Sequence, residues 1–373
     1  MQRPLRFLML NWRDPENPAA GGAERVSLGY LAALADRGHE VWWYANAFKD
    51  AATETLLHGV RIRRGGSMGT SIYHAWRWYA RQPSFDLVID QHHGIPWLAP
   101  WWTQTRCVAY IHEVLGPIWS AFYPAPIAQL GQLQEWLTHL IYRNIPFWTA
   151  CQGTERMLSS RGIRQIKRIP YGVHTRSLPQ LSDKTYQEPL KLITVSRLAP
   201  NKRIQHAIQT LARLKDLGIA ASLDIVGRGD EEPFLRQLVQ EQRLGDVVHF
   251  KGNLSESEKD NALAQAHLLL HTSIREGWGL NVIEANAMGT PSVVYPVAGL
   301  VESTLHGLTG RVAKMESPEA LTEEVIHFLN HPADYQACRQ NAWKQANQFH
   351  WDEILPRACD WLEFMAKQKS SST

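Results

Sequence analysis

Short apolar runs alternate with amphipathic helical stretches along nearly the whole chain, and they do so in two separate series. The first series holds "LRFLMLNW", "HEVWWYAN", "VRIRRG", "DLVIDQ", "CVAYIHE" and "FWTACQ". The second holds "KLITVSRL", "ASLDIVG", "VVHFKGN", "HLLLHTS", "PSVVYP" and "GRVAKM". Strands spaced by helices are joined by crossovers, which give parallel sheets covered by helices on both faces. Between the series, "TRSLPQLSDKTYQEPL" is polar and carries prolines, the composition of a linker. The pattern predicts an α/β protein of two doubly wound, Rossmann-like domains facing across a cleft. Their expected bounds are 1–175 and 190–349, with a linker at 176–190 and a final helix, about 350–373, packed back on the first domain. "SPEALTEEVIHFL" is expected to open a helix with a Ser-x-x-Glu type of start.

At 373 residues the chain exceeds what one core ordinarily organises. A hydrophobic content of 44% with 20% charged residues excludes a disordered chain. No apolar run approaches the ~20 residues of a membrane span. "MQRPLRFLML" flows into a strand and is expected not to be a signal peptide. Four dispersed cysteines (Cys107, Cys151, Cys338, Cys359) lack CxxC spacing, which favours reduced thiols in a cytoplasmic protein over disulfides or a zinc site.

Charge is uneven: residues 1–180 hold 19 Lys+Arg against 12 Asp+Glu, which leaves 20 against 24 for the rest. Eleven of the 15 tryptophans precede residue 150. A basic, tryptophan-rich half suits an anionic membrane surface or an acidic ligand, and equally a Trp-rich core with scattered arginines.

The stretch "REGWGLNVIEANAMGTPSVVYP" places Glu276 after a strand, then Gly277, Trp278 and Gly279, then a helix from Leu280. Free amides at that helix start, beside small glycines, suit an anion such as diphosphate. Were Glu276 and Glu284 both helical, they would lie within ~80° of one face and ~12 Å apart along the axis. That spacing fits a sugar and a ribose of one nucleotide sugar better than a single metal ion. "VSRLAPNKRI" puts Arg197 at a strand's carboxyl end and Lys202 at a helix start, where strand ends open onto a ligand crevice. Two cations there can neutralise a departing nucleoside diphosphate. Gly227 and Gly229 at another strand end allow close nucleotide approach, and the backbone near Lys251 and Gly252 is placed near a base. In the first half, Gly21 and Gly22 follow the first strand and let backbone approach a phosphate. Glu24 reads as a structural helix-start acid.

His92 and His93 end a strand and could meet an acceptor, or face away. Trp97, Trp101 and Trp102 could dock on lipid or a sugar, or bury against their own domain. Arg161, Arg164, Lys167 and Arg168 fit anionic headgroups or a solvated surface.

The Arg197–Lys202 pair, Glu276-x7-Glu284 within "EGWGLNVIEANAMGTP" and "GLTGRV" around Gly310 resemble the family 4 retaining glycosyltransferases of the GT-B fold. "NWRDPENPAAGGAERV", "DQHHGIPWLAPWW" and "VAYIHEVLGPIW" are similar to that family's amino-terminal domain. The resemblance implies that Arg197 and Lys202 hold the donor diphosphate, with Gly227 and the turn Gly277–Leu280 beside it. It implies Glu276 on the hydroxyls of the transferred sugar and Glu284 on the ribose. Gly21 and Gly22 would crowd the diphosphate and acceptor, and His112 would reach the sugar. The implied activity moves a hexose-type sugar, with retention, from a UDP- or GDP-sugar to an acceptor hydroxyl in cell-envelope polysaccharide or glycolipid synthesis such as lipopolysaccharide. The expected partners are the donor, a glycan or lipid-linked acceptor and an anionic membrane at its inner face, met through the first domain; no cofactor, metal or nucleic acid is expected.

A dehydrogenase would need G-x-G-x-x-G directly after the first strand, and "NWRDPENPAAGGAE" has the wrong glycine spacing. A nucleotide-sugar epimerase or a non-catalytic nucleotide-sugar-binding protein on the same architecture stays open.

Overall fold

The structure, a computed structural model, describes residues 3–92, 95–116 and 119–368. The chain forms two compact units, one running to Pro170 and resuming at Asp352, the other from Tyr171 to Trp351.

The first unit is built on strands β1 (Arg6–Leu10), β2 (Glu40–Ala45), β3 (Glu54–Leu57), β4 (Val60–Arg64), β5 (Leu87–His92), β6 (Cys107–Ile111), β7 (Phe147–Thr149) and β8 (Ile166–Arg168). They make one sheet in the order β3-β4-β2-β1-β5-β6-β7-β8. All neighbours are parallel except the β3–β4 hairpin. Strand order reverses beside β1, whose carboxyl end therefore opens a crevice between two outgoing crossovers. β1 and β5 are almost wholly buried, as strands covered on both faces must be. Six strands were legible as apolar runs. β3 alternates exposed and half-buried residues and β8 has only three, so neither edge strand carries a readable apolar signal.

Tryptophans build much of this unit's core. Trp148 stacks on Tyr110 at 4.1 Å and meets Trp361 at 5.9 Å, which ties the last helix, Trp351–Lys367, to the sheet. Arg37 reinforces that attachment through Asp360 (2.7 Å) and Glu363 (2.8 Å).

The second unit holds β9 (Leu190–Val195), β10 (Ala221–Val226), β11 (Val248–Gly252), β12 (Leu268–His271), β13 (Ser292–Val294) and β14 (Gly310–Val312). The sheet is wholly parallel, in the order β11-β10-β9-β12-β13-β14, so its reversal lies between β9 and β12. The stretch expected to be a linker is instead part of this unit. Tyr186 is buried and donates to the carbonyl of Val325 (3.1 Å). Buried Arg339 donates to the carbonyls of Ser182 (3.0 Å) and Lys184 (3.3 Å), satisfying backbone that a free linker would leave to water. Ser317 caps its helix by accepting from Ala320 N–H (3.2 Å), whereas the reciprocal Ser-x-x-Glu box stands at Ser255 and Glu258.

Two glycines show what fixes the loop after β10. A Cβ on Gly227 (φ +128°) would lie 1.8 Å from the Ser196 carbonyl oxygen, and one on Gly229 would lie 2.1 Å from that of Leu198. The close approach lets Ser196 N–H reach Val226 O (3.0 Å) and Leu198 N–H reach Arg228 O (2.9 Å). Gly227→Ala is expected to destabilise the chain by about 2–4 kcal/mol, lowering the thermal midpoint by roughly 5–15 °C. Gly245→Ala, where an added Cβ meets nothing within 4 Å, should change stability by less than ~0.5 kcal/mol. Equal midpoints for the two variants in calorimetric scans would contradict this.

Candidate active site

In the second unit, the reversal between β9 and β12 brings two loops together. Thr272 Oγ1 donates toward the carbonyls of Lys202 (2.9 Å) and Arg203 (3.0 Å), and Ile274 N–H donates to Asn201 O (2.9 Å). Asn281 Nδ2 donates to the last β9 carbonyl, Val195 O (2.6 Å), fixing the following helix to the same strand end. Held in this way, Lys202 Nζ makes an ion pair with Glu276 Oε1. Ser273 Oγ donates to the same oxygen (3.0 Å), and His271 Nε2 lies 3.5 Å from it.

The charges here can be assigned. Burial pushes the Glu276 carboxyl upward, but Lys202, His271 and Ser273 outweigh it, leaving the carboxyl below its ordinary range and ionised. Burial drives the His271 imidazole down to about 4 despite Glu276, so it is neutral near pH 7. The lysine therefore supplies the countercharge, and the histidine is a polar neighbour.

The turn after Glu276 is shaped by close packing. Gly279 has φ +78°, and a Cβ there would come within 2.9 Å of Leu300 and Ser303. It precedes the helix Leu280–Ala287, so Glu276 lies in the loop and the helical-face spacing does not apply to it. The Trp278 side chain is buried against Phe349 (5.3 Å), which leaves only its backbone at the turn. A Cβ on Gly299 would strike Glu276 O at 2.4 Å and Trp278 N at 2.6 Å, so Gly299 permits the next helix start to seat beneath Glu276.

Glu284, on the helix, pairs with Lys259 Nζ (2.9 Å), itself held by Glu256 (2.6 Å). Burial raises the Glu284 carboxyl above its ordinary value in spite of Lys259. Arg197 is exposed in the loop after β9. Gly227 and Gly229, expected at the nucleotide, are required by the fold itself. Lys251 pairs with Asp224 (3.5 Å), while Gly252 (φ +63°) ends β11. Gly310 begins β14, where a Cβ would meet Ser292 O at 2.3 Å.

The first unit gathers its candidates at the ends of β1, β5 and β6. Buried Arg64 grips Asp14 through two bonds (2.8 and 2.9 Å) and fixes the long loop after β1. Gly21 caps the helix Gly22–Asp36, its N–H bonded to Glu24 Oε2 (2.7 Å), and Arg13 pairs with Glu24 (3.2 Å). Glu24 is thus structural. A Cβ on Gly21 would meet nothing of this chain nearer than 3.8 Å, so the fold itself does not demand glycine there.

His112 follows β6 and is 8% exposed. Gln91 lies within hydrogen-bond reach of Ser27 Oγ (3.1 Å) and of His112 Nε2 (2.8 Å), which ties that ring to the helix Gly22–Asp36.

The His92 side chain is buried. Its ring packs against Tyr142 (4.7 Å) with Asp90 at 3.6 Å, and burial lowers its pKa. His93 lies outside the described residues. Trp97 is fully buried against Trp12 (4.5 Å), and Trp102 donates to the Trp97 carbonyl (2.9 Å), whereas Trp101 is exposed.

Sequence reading missed Ser273, His271, Thr272, Asn281, Lys259 and Gly299. The "HTS" that ends β12 places polar residues at a strand's carboxyl end, a usable signal for the first three. Nothing local links Lys259 to Glu284. Among the described residues, one group brings three possible metal-ligand atoms within 4.8 Å, His327, His331 and Asp334, and it lies at the helix Pro318–Asn330 rather than at strand ends.

Two family profiles match the chain: "Glycosyltransferase Family 4" over residues 20–177 and "Glycosyl transferases group 1" over 182–345. A glycogen synthase of Mycobacterium tuberculosis is 25% identical over 302 residues, 79% of this chain and 70% of that protein. A putative colanic acid biosynthesis glycosyltransferase, WcaL, of Salmonella typhimurium is 30% identical over 163 residues, 42% of this chain and 40% of the relative. The solved structure of Anabaena HepE in complex with UDP and glucose superposes with a TM-score of 0.73 at 19% identity, covering 96% of this chain and all of that one. With a sugar-transferase profile on each unit and two parallel α/β sheets beneath them, the chain belongs to the group 1, family 4 glycosyltransferases of the GT-B fold.

Proposed function

We propose that this glycosyltransferase moves a hexose-type sugar, with retention, from a UDP- or GDP-sugar to an acceptor hydroxyl of a cell-envelope glycan or lipid-linked glycan, at the inner face of the membrane. The carrying observation is the Lys202–Glu276 pair fixed at the β9/β12 switch point. Lys202, Arg197 and the amides of the turn Gly277–Leu280 meet the diphosphate, supplying the positive charge that stabilises it as it leaves, without a resident metal. Glu276 is already ionised and held by Lys202 and Ser273, which suits a group that positions sugar hydroxyls better than a nucleophile. The acceptor oxygen attacks the anomeric carbon on the face from which the diphosphate departs, and its proton passes to a departing phosphate oxygen. Gly21, Gly22 and His112 are the first unit's contacts to donor sugar and acceptor, and Glu284 meets the ribose. The envelope assignment draws support from the likeness to the colanic acid relative, and the donor class from the HepE complex.

Turnover of a panel of UDP- and GDP-sugars, with and without acceptor, tests this reading. Product formed only with acceptor supports it, and donor conversion without acceptor would make the chain an epimerase. Lys202→Ala should lower kcat about 10²–10³-fold, with Lys202→Arg retaining more, while EDTA leaves the wild type active. Unchanged transfer by the alanine variant would overturn the assignment. Glu284→Gln should raise the donor KM about 10-fold with kcat nearly constant, as expected for a contact made equally before and during reaction. A fall in kcat at constant KM would place Glu284 elsewhere in the mechanism.

A further inference from the structure

The helix Ile127–Ile141 is inside out. Its buried residues are Ala128, Glu135, Thr138 and His139, whereas Ile127, Leu130, Leu133, Trp136, Leu137 and Ile141 are 45–62% exposed. At ~100° per residue those six sweep about half the circumference, opposite the buried face. The polar face is what fastens the helix to its unit. The Glu135 carboxylate accepts from Leu115 N–H (2.7 Å) and Gly116 N–H (2.8 Å) and lies 3.2 Å from Arg161, which also reaches His139 Nδ1 (2.7 Å). Glu135 is the helix's single charged residue, so the outward arc carries no charge at all.

Scattered exposed leucines need no explanation, but a continuous arc on one helix is a docking surface. The surroundings say what docks. Arg143 follows the helix directly, and an added Gly162 Cβ would lie 3.5 Å from its Nε, so the turn 161–162 adjoins it. Arg143 is exposed, as are Arg164 and Lys167, which follow that turn in the chain. The exposed Trp101 ring packs on Tyr142 (5.0 Å), the residue after the helix, and gives an aromatic beside the basic rim. An uncharged arc flanked by tryptophan and cations complements an anionic bilayer surface. A second copy of this chain would bring the same cations to the contact. With 15 residues the helix is about 22 Å long, too short to span a bilayer's ~30 Å hydrocarbon core, so lying along the interface is the membrane geometry open to it.

We infer that the helix Ile127–Ile141 is the element by which the chain docks on an anionic lipid surface, its apolar arc in the headgroup boundary and Arg143, Arg164 and Lys167 on lipid phosphates. The inference deepens the proposed membrane-facing acceptor and rests on it for its purpose. It is tested by co-sedimentation of the full chain with phosphatidylcholine vesicles, pure or containing roughly one-third phosphatidylglycerol. The wild type should partition onto the anionic vesicles, less so at high salt. Leu133→Glu/Leu137→Glu should lower partition at least ~10-fold, and Arg164→Ala/Lys167→Ala should lower it only on anionic vesicles. Both variants should keep the wild-type thermal midpoint and nucleoside diphosphate binding. Absence of wild-type binding, or equal binding by the glutamate variant, would overturn the inference. So would a wild-type dimer, by light scattering, that the same glutamates dissolve, since the arc would then be covered by a second copy. Vesicle binding without sugar transfer would sink the transferase reading and leave the docking helix standing.

Discussion

Lys202 and Glu276 are 74 residues apart, and their meeting depends on a parallel sheet whose order reverses between their strands. Side by side in the sheet, β9 and β12 each send a loop off the same edge. Thr272, Ile274 and Asn281 then stitch those loops together through carbonyls that would otherwise need water. The ion pair is poor evidence for stability, because removing two charges from water offsets most of their attraction. Its value lies in fixing a cation and a carboxylate at a strand edge where a charged ligand can be received. The glycines at 279 and 299 serve the same end by letting two helix starts close in around Glu276.

The strand framework was legible because buried parallel strands must be nearly continuous apolar runs, and those runs survive in the sequence. Edge strands β3 and β8 escape this rule, half-exposed or too short to show it. The polar stretch around 176–190 looked free for the same reason in reverse. Its backbone is satisfied by Arg339, about 150 residues onward, a partnership that no local composition encodes. Spacing and strand position singled out Lys202 and Glu276, which the fold brings together, whereas the Lys259–Glu284 pair was invisible because it arises through tertiary packing. The glycines at 227 and 229 were found for a ligand's sake and prove to be demanded by the fold.

Burial sorts the tryptophans of the basic first half. Trp43, Trp97 and Trp148 are core residues, so most of the aromatic excess is architectural. Trp76, Trp101 and Trp136 are exceptions, and the last two stand beside or on a helix whose apolar arc points outward. From sequence, such an arc cannot be told from a core-facing one, since both repeat with the helical period. Only the buried Glu135, tied to two backbone amides, reveals which face turns inward.

The measurement that bears most directly on the account is calorimetric titration of the full chain with UDP, GDP, ADP and NAD. A site built from Lys202, Arg197 and the Gly277–Leu280 turn predicts saturable binding of UDP or GDP and much weaker binding of ADP and NAD. Preference for NAD, or no nucleoside diphosphate binding at all, would contradict it.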